Sequence, residues 1–203
     1  TSDVTIGDAS ASDKKILFDG NAQDFHIGLD DSSDSLTIGL GSALGTTSHM
    51  VIDANGHVTM PNQPAFSVHK SGTAQENFAN DGNAVTVTWS TERFDNNGDF
   101  SGNTFTAPVT GKYILTTTMR INDLDTGATF YIASIVTSNT TYHNIIDPNY
   151  SSDPSFKSFH VSVVADMDSS DTAYVTIRQS GGTVQSDVNG DAFYTYFTGA
   201  LLC

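Results

Sequence analysis

"NGDFSGNTFTAPVTGKYILTTTMRI", residues 97–121, decides the fold. The stretch leaves an Asn-Gly turn, alternates briefly, stops at Ala107-Pro108-Val109-Thr110-Gly111 and then re-enters a longer alternation. Pro108 removes a ladder donor and fixes φ, so it marks a break rather than a strand interior. Gly111 is expected to take the backbone conformation that turns the chain. Beyond it, Tyr113, Leu115, Thr117, Met119 and Ile121 fall on one face of a strand. A rigid corner between two alternating segments predicts a strand redirected within a two-sheet sandwich.

The same period of two recurs along the chain. Val85, Val87 and Trp89 alternate with threonines, and Phe159, Val161, Val163 and Ala165 form another face. Asn-Gly pairs at Asn55-Gly56, Asn97-Gly98 and Asn189-Gly190 read as hairpin turns. No window repeats apolar residues at helical spacing over several turns, so the fold class is all-β. Two strands are apolar on both faces. In "TFYIASIV" Phe130, Ile132 and Val136 face one way and Tyr131 and Ile135 the other; in "AFYTYFTGALL" Phe193 and Phe197 oppose Tyr194 and Tyr196. A strand apolar on both faces is covered on both. This makes Tyr131, Ile135, Tyr194 and Tyr196 candidates for a subunit interface, the alternative being tyrosine hydroxyls that reach solvent.

Composition narrows the functions. Acids outnumber bases 23 to 8, for a net charge of −15, which repels phosphate backbones and argues against nucleic-acid binding. Apolar runs such as "FYIASIV" (130–136) are too short to cross a bilayer as a helix. The only cysteine, Cys203, excludes an intrachain disulfide and reads as a frayed end. Thr1 is not a start methionine, and the chain is expected to continue upstream.

Met60-Pro61-Asn62-Gln63-Pro64 marks a boundary, because two prolines in a short span deny ladder donors and favour an extended linker. Before it, "KKILFDG", "DFHIGLD", "SLTIGLG" and "HMVIDANGHVTMP" recur at roughly ten-residue spacing as short strands. Such pieces cannot bury a core alone, which points to an oligomeric stalk or collar. The expected organisation is a β-rich stalk at 1–60, a linker at 61–64 and a β-sandwich head at 65–203.

Four ordered blocks carry a resemblance: "PAFSV" (64–68), "FDNNGDFSGNTFTAPVTGKYILTTTMRI" (94–121), "DTAYVTI" (171–177) and "YFTGALL" (196–202). With them, residues 64–202 resemble the globular head of complement component one q, a jelly roll shared with the tumour necrosis factor superfamily. Ala200 departs from that pattern, standing where the family usually has an aromatic residue. The resemblance implies a ten-stranded jelly-roll sandwich and a homotrimer. Residues 1–60, through "ILFDGNAQDFHIGLDDSSDSLTIGLGS" and "VIDANGHVTMP", resemble stalk segments of bacteriophage tail fibres.

No catalytic constellation is legible. "GSALG" (41–45) has its serine in the wrong place for a nucleophile elbow, and "GLGSALG" lacks a phosphate-loop lysine. No two of the six histidines stand at zinc-ligand spacing. "DNNGD" (95–99) and "DVNGD" (187–191) each offer hard oxygens in a bend. No cofactor is required; calcium at Asp187, Asn189 and Asp191 is the candidate ion, against a plain Asn-Gly turn with solvated acids. "NTTYHNIIDPNYSSDPSFK" (139–157) reads as the longest loop, with Tyr142, His143, Asn149, Tyr150 and Phe156 as candidate receptor contacts. The alternative is a polar surface connection that buries two aromatics.

The two resemblances together imply a non-enzymatic, trimeric receptor-binding tip of a tail fibre, extracellular on a virion. It would attach to a host cell-surface glycan or outer-membrane protein and join other fibre proteins through its N-terminus. One alternative is a secreted complement-one-q-like lectin or adhesin, and another is a purely structural virion spike or decoration protein.

Overall fold

The computed structural model describes residues 2–202, so Thr1 and Cys203 lie outside the described residues. The chain divides into two compact units between Gln63 and Pro64.

The first unit is one antiparallel sheet in the order β1 (Lys14–Phe18), β2 (Phe25–Asp30), β3 (Ser35–Leu40), β4 (Ser48–Ile52) and β5 (Val58–Thr59). Each strand pairs with its sequence neighbour. Asn55-Gly56 makes the β4–β5 turn, with Gly56 at φ +84° and the Asp53 carboxylate accepting from the amides of Asn55 and His57.

The second unit is a sandwich. Its strands are β6 (Ala65–His69), β7 (Val85–Thr86), β8 (Thr91–Asp95), β9 (Phe100–Ser101), β10 (Thr104–Thr106) and β11 (Gly111–Asn122). They continue as β12 (Ala128–Thr137), β13 (Thr141–Ile146), β14 (Phe156–Met167), β15 (Thr172–Gly181), β16 (Asp187–Val188) and β17 (Tyr196–Leu201). One sheet runs β14-β11-β17-β6-β8, the other β13-β12-β15-β10-β9, with β16 beside β11 and β7 beside β15. Six strands face six, with chain neighbours such as β10 and β11 in opposite layers. This is the jelly-roll arrangement expected from the sequence.

Strand β11 organises the first sheet. It pairs with β14 from Gly111↔Met167 to Asn122↔Phe156, and with β17 from Tyr113↔Leu201 to Thr118↔Tyr196. Its inward residues Tyr113, Leu115, Thr117, Met119 and Ile121 are buried as the alternation predicts. At the centre, Phe66 stacks on Phe105 with centroids 4.7 Å apart and meets Phe197 edge-on at 5.0 Å. Gly199 admits these rings: a Cβ there would stand 2.6 Å from the Phe66 ring and 2.7 Å from Leu115 Cδ2.

The Pro108 corner carries the chain from β10 in one sheet to β11 in the other. Gly111 is not among the positive-φ residues; it opens β11 opposite Met167, so the turn is made before it. Buried Tyr113 pins the corner by donating its hydroxyl hydrogen bond to the Val109 carbonyl at 2.7 Å. Around it the Ala107 amide donates to Asp171 O and the Ser170 amide to Ala107 O. Two Asn-Gly readings change. Asn97-Gly98 links β8 to β9 across the sheets, and Asn189-Gly190 lies between β16 and β17, so neither closes a hairpin. The tight hairpin is β9–β10, closed by Gly102 and Asn103, both at positive φ as a primed turn requires.

Two outcomes follow for stability. Tyr113→Phe removes the bond to Val109 and is expected to cost about 1 kcal/mol, read as a lower urea midpoint; an unchanged midpoint would show that the corner holds without it. Gly199→Val overpacks the Phe66–Leu115 contact and is expected to cost about 3 kcal/mol, measured the same way.

Candidate functional site

Four connections gather at the end of the sandwich opposite the Pro108 corner: 123–127, 147–155, 182–186 and 189–195. The pairings Asn122↔Phe156, Ala128↔Gly181 and Tyr131↔Ile146 bring their roots together.

Asp125 is buried, with one carboxylate oxygen accepting from the Gly127 amide at 2.6 Å and the other from the Thr183 amide. Gly182 sits at φ +74°, and a Cβ there would come within 2.5 Å of the Asp125 carboxylate, so the site excludes any side chain. The Asp125 amide donates to the Tyr131 hydroxyl at 2.9 Å; that hydroxyl donates to Ser186 Oγ at 2.8 Å, and Ser186 donates to Asp123 O. Burial pushes the Tyr131 phenol up, so it stays a neutral donor. Outside this network, Asp153 accepts from the Thr126 hydroxyl at 2.6 Å, the Thr126 amide at 2.8 Å and Gln185 Nε2 at 3.2 Å. The 147–155 loop is thereby tied to two neighbouring loops.

The outer face of the β11 sheet reaches the same end. There the Arg120 guanidinium lies between two rings, 4.6 Å from the Phe156 centroid and 4.9 Å from that of Tyr194. Arg120 Nε donates to Asn122 Oδ1 at 3.0 Å. Phe156 is 58% exposed and Tyr194 45%. The chain's three arginines all stack this way, Arg93 over Tyr196 and Arg178 over Phe130. Further along this face, cross-strand pairing aligns Val164, Ile114, Ala200 and Ala65 in one row. Ile114 and Val164 in that row are exposed.

The receptor candidates separate. Asn149 and Tyr150 are exposed on the 147–155 loop, and Phe156 stands at its root as the first residue of β14. Tyr142 and His143 are not in a loop, because β13 occupies Thr141–Ile146. Tyr142 packs against the core, and His143 Nδ1 pairs with Ser134 Oγ at 2.8 Å on the other sheet. The stretch "TYHNII" alternates, and its pairing with β12 overrides its polar composition.

The subunit-interface candidates also divide. Tyr131 and Ile135 are wholly buried between the sheets of their own head and cannot meet a partner. The outward face of β12 is instead Phe130, Ile132 and Val136, each half-buried. Both faces of this strand are apolar, and the alternation alone does not say which one turns inward. Tyr194 and Tyr196 do lie at the surface.

At the calcium candidates, Asp187 accepts from the Asn77 amide at 2.7 Å, Asn189 from the Asp191 amide at 2.9 Å and Asp191 from the Phe193 amide at 2.9 Å. Asn189 and Asp191 use these oxygens to shape their own turn, and Asp187 uses its oxygen to hold the distant Asn77 backbone. No three of His, Cys, Asp or Glu are grouped to hold a metal among the described residues. In the similar stretch 95–99, Asp95 likewise accepts from the amides of Asp99 and Phe100.

Sequence reasoning passed over Arg120, Asp125, Asp153 and Gly182. Arg120 had a signal, being a cation directly after the threonine run of its strand; the Thr183 partner of Asp125 and the Thr126 and Gln185 partners of Asp153 lie too far along the chain to be read locally.

No family model matches the chain, and no curated protein matches it. Among solved structures it is similar to the globular domain of zebrafish complement 1qA protein, with 16% identity and a TM-score of 0.48 over 70% of this chain and 98% of that one. It is also similar to murine APRIL, with 12% identity and a TM-score of 0.49 over 69% of this chain and 99% of that one.

Hydrogen bonds from the Thr126 hydroxyl, then its amide, then Gln185 hold the Asp153 carboxyl below the usual carboxylate range. A depressed folded pKa gives stability that is present above the unfolded value, about 3.9, and lost as pH falls through the folded one. The loop brace is therefore intact at neutral pH and fails in the acid range below about pH 4. At neutral pH, Asp153→Ala is expected to speed hydrogen exchange at the Thr126 amide by on the order of tenfold or more with little change in melting temperature. Unchanged exchange would show that the loops do not depend on this carboxylate.

Proposed function

We propose that the chain is the receptor-binding tip of a bacteriophage tail fibre or similar virion adhesin, working as a homotrimer. What carries the reading is an uncovered apolar row on the β11 sheet beside a braced set of loops. The row Val164–Ile114–Ala200–Ala65, with its small alanines, suits close approach of another copy, and Tyr194 and Tyr196 extend the same face. Packing three heads on this face points their loop ends in one direction. The 147–155 loops then present Asn149 and Tyr150, with Phe156 at the root, to a repetitive host surface of glycan or outer-membrane protein. Three weak contacts on one tip gain strength by avidity. Loops on a rigid frame are where binding residues concentrate, and the tied Asp153 network keeps the ordering cost of contact low. The role is adhesion rather than catalysis, on an extracellular virion, with other fibre proteins joined through the N-terminal unit. The fibre assignment rests on the stalk-like cadence of residues 1–60. A secreted lectin or adhesin of the same head architecture is the second reading, favoured by the exposed aromatic and amide side chains of the loop.

The test is light scattering together with cell binding across candidate bacterial hosts. The intact chain is expected at three times the 21.6 kDa chain mass. Val164→Asp is expected to lower that mass, and replacing residues 148–152 by glycine and serine to abolish host binding with the mass unchanged. A stable monomer at micromolar concentration would sink the trimer, and full binding by the loop variant would sink the contact assignment.

A further inference from the structure

The N-terminal sheet has its polarity inverted. On β2, His26, Gly28 and Asp30 are buried while Phe25, Ile27 and Leu29 are exposed; on β3, Ser35, Thr37 and Gly39 are buried while Leu36 and Ile38 are exposed. An antiparallel sheet with one wet face normally turns its polar side chains to water. The polar side is closed by the sheet's own β3–β4 connection. Gly41 O pairs with His26 Nδ1 at 2.9 Å, and the Gly45 backbone lies against the Asp30 carboxylate, where a Cβ would stand 2.6 Å from Oδ2. The apolar side carries aligned rows. Ile16, Ile27, Ile38 and Met50 stand side by side across four strands, and Phe18 and Phe25 form the next row.

Seven large apolar side chains on this face are between 37% and 54% exposed. Together they present roughly 600 Å², at the top of the range that monomers leave open and approaching, without reaching, the ~800 Å² per partner of a standard interface. The occupant must be flat, apolar and uncharged, and must tolerate an acidic surround, since residues 1–63 hold nine aspartates against two lysines. A second copy of the same face meets each requirement. The isoleucine rows carry no charge; the charged pair on this side is Lys14, opposite Leu29 on the edge strand β1, with Asp8 at 3.0 Å, and the other aspartates lie outside the strands or on the opposite side.

We infer that this face is a self-association surface, on which the N-terminal sheets of neighbouring copies pack apolar side to apolar side and share one core. The inference takes from the preceding reading only that the chain assembles with itself; it places the contact in a different unit.

The test uses the full chain in a Cys203→Ser background, with a cysteine placed on the face as Ile38→Cys or Ile27→Cys, and Ser33→Cys in the exposed β2–β3 turn as reference. The face cysteines are expected to react with maleimide on the order of tenfold more slowly than the reference, and to form interchain disulfides under mild oxidation. Labelling at the reference rate, or protection without any interchain link, would overturn the inference. Light scattering on the same samples separates the two readings: a trimeric mass with freely labelled face cysteines leaves the head trimer standing and removes this surface. Agreement between the two face positions guards against one cysteine disturbing the sheet.

Discussion

Strand Gly111–Asn122 is hydrogen-bonded along both edges and apolar on every inward residue but Thr117. A strand so constrained has one placement, the middle of a sheet with a second layer over it. The remaining architecture follows from meeting those demands. The last strand, Tyr196–Leu201, fills one edge and carries Gly199, so the Phe66 ring and Leu115 can close over the backbone. The second sheet supplies the cover through Phe105, Tyr131, Ile135 and Ile177. The Pro108 corner is one of the short connections by which one continuous chain feeds both layers, and Tyr113, from within the strand it introduces, holds that corner shut.

How much of this was legible depends on the range of each interaction. The alternation of Tyr113 to Ile121 and of Phe159 to Ala165 stated both strand and inward face, because one side of each is plainly apolar. Strand Ala128–Thr137 is apolar on both sides, so its inward face was a matter of tertiary context. Tyr131 turned inward with hydroxyl partners at Asp125 and Ser186, the latter 55 residues away. His143 and Tyr142 were hidden for the opposite reason, since a polar sequence became a strand when an edge stood free to pair with it. Arg120 was visible as a cation after a threonine run, but its two rings come from β14 and from the segment before β17, which no local window contains.

The same period of two produces opposite results in the two units. In the head, alternate apolar residues turn inward because a second sheet is there to receive them. In the N-terminal sheet the described residues form no second layer, and the small or polar alternates close on nearby backbone instead: Gly39 on the β3–β4 connection at Thr47, Gly28 on Lys14 and Lys15 of β1, and Thr37 on the Gly28 carbonyl. Amphipathic alternation fixes that a face will be covered, but the source of the cover is set by how much chain is available. About sixty residues bury only a small core of their own, so a cover from outside the unit adds most.

The head's two fully buried tyrosines anchor opposite ends. Tyr113 sends its hydroxyl to the corner at Val109, and Tyr131 sends its hydroxyl to Asp125 and Ser186 beneath the loops. Each end is therefore fastened from inside, by a side chain belonging to the core rather than to the loop it secures. A segment such as 147–155 can then diverge in length and chemistry without loosening the frame, provided the attachment at Asp153 is kept. The molecule is in this respect a socket with an exchangeable fitting, its frame and its surface segment held by separate sets of bonds.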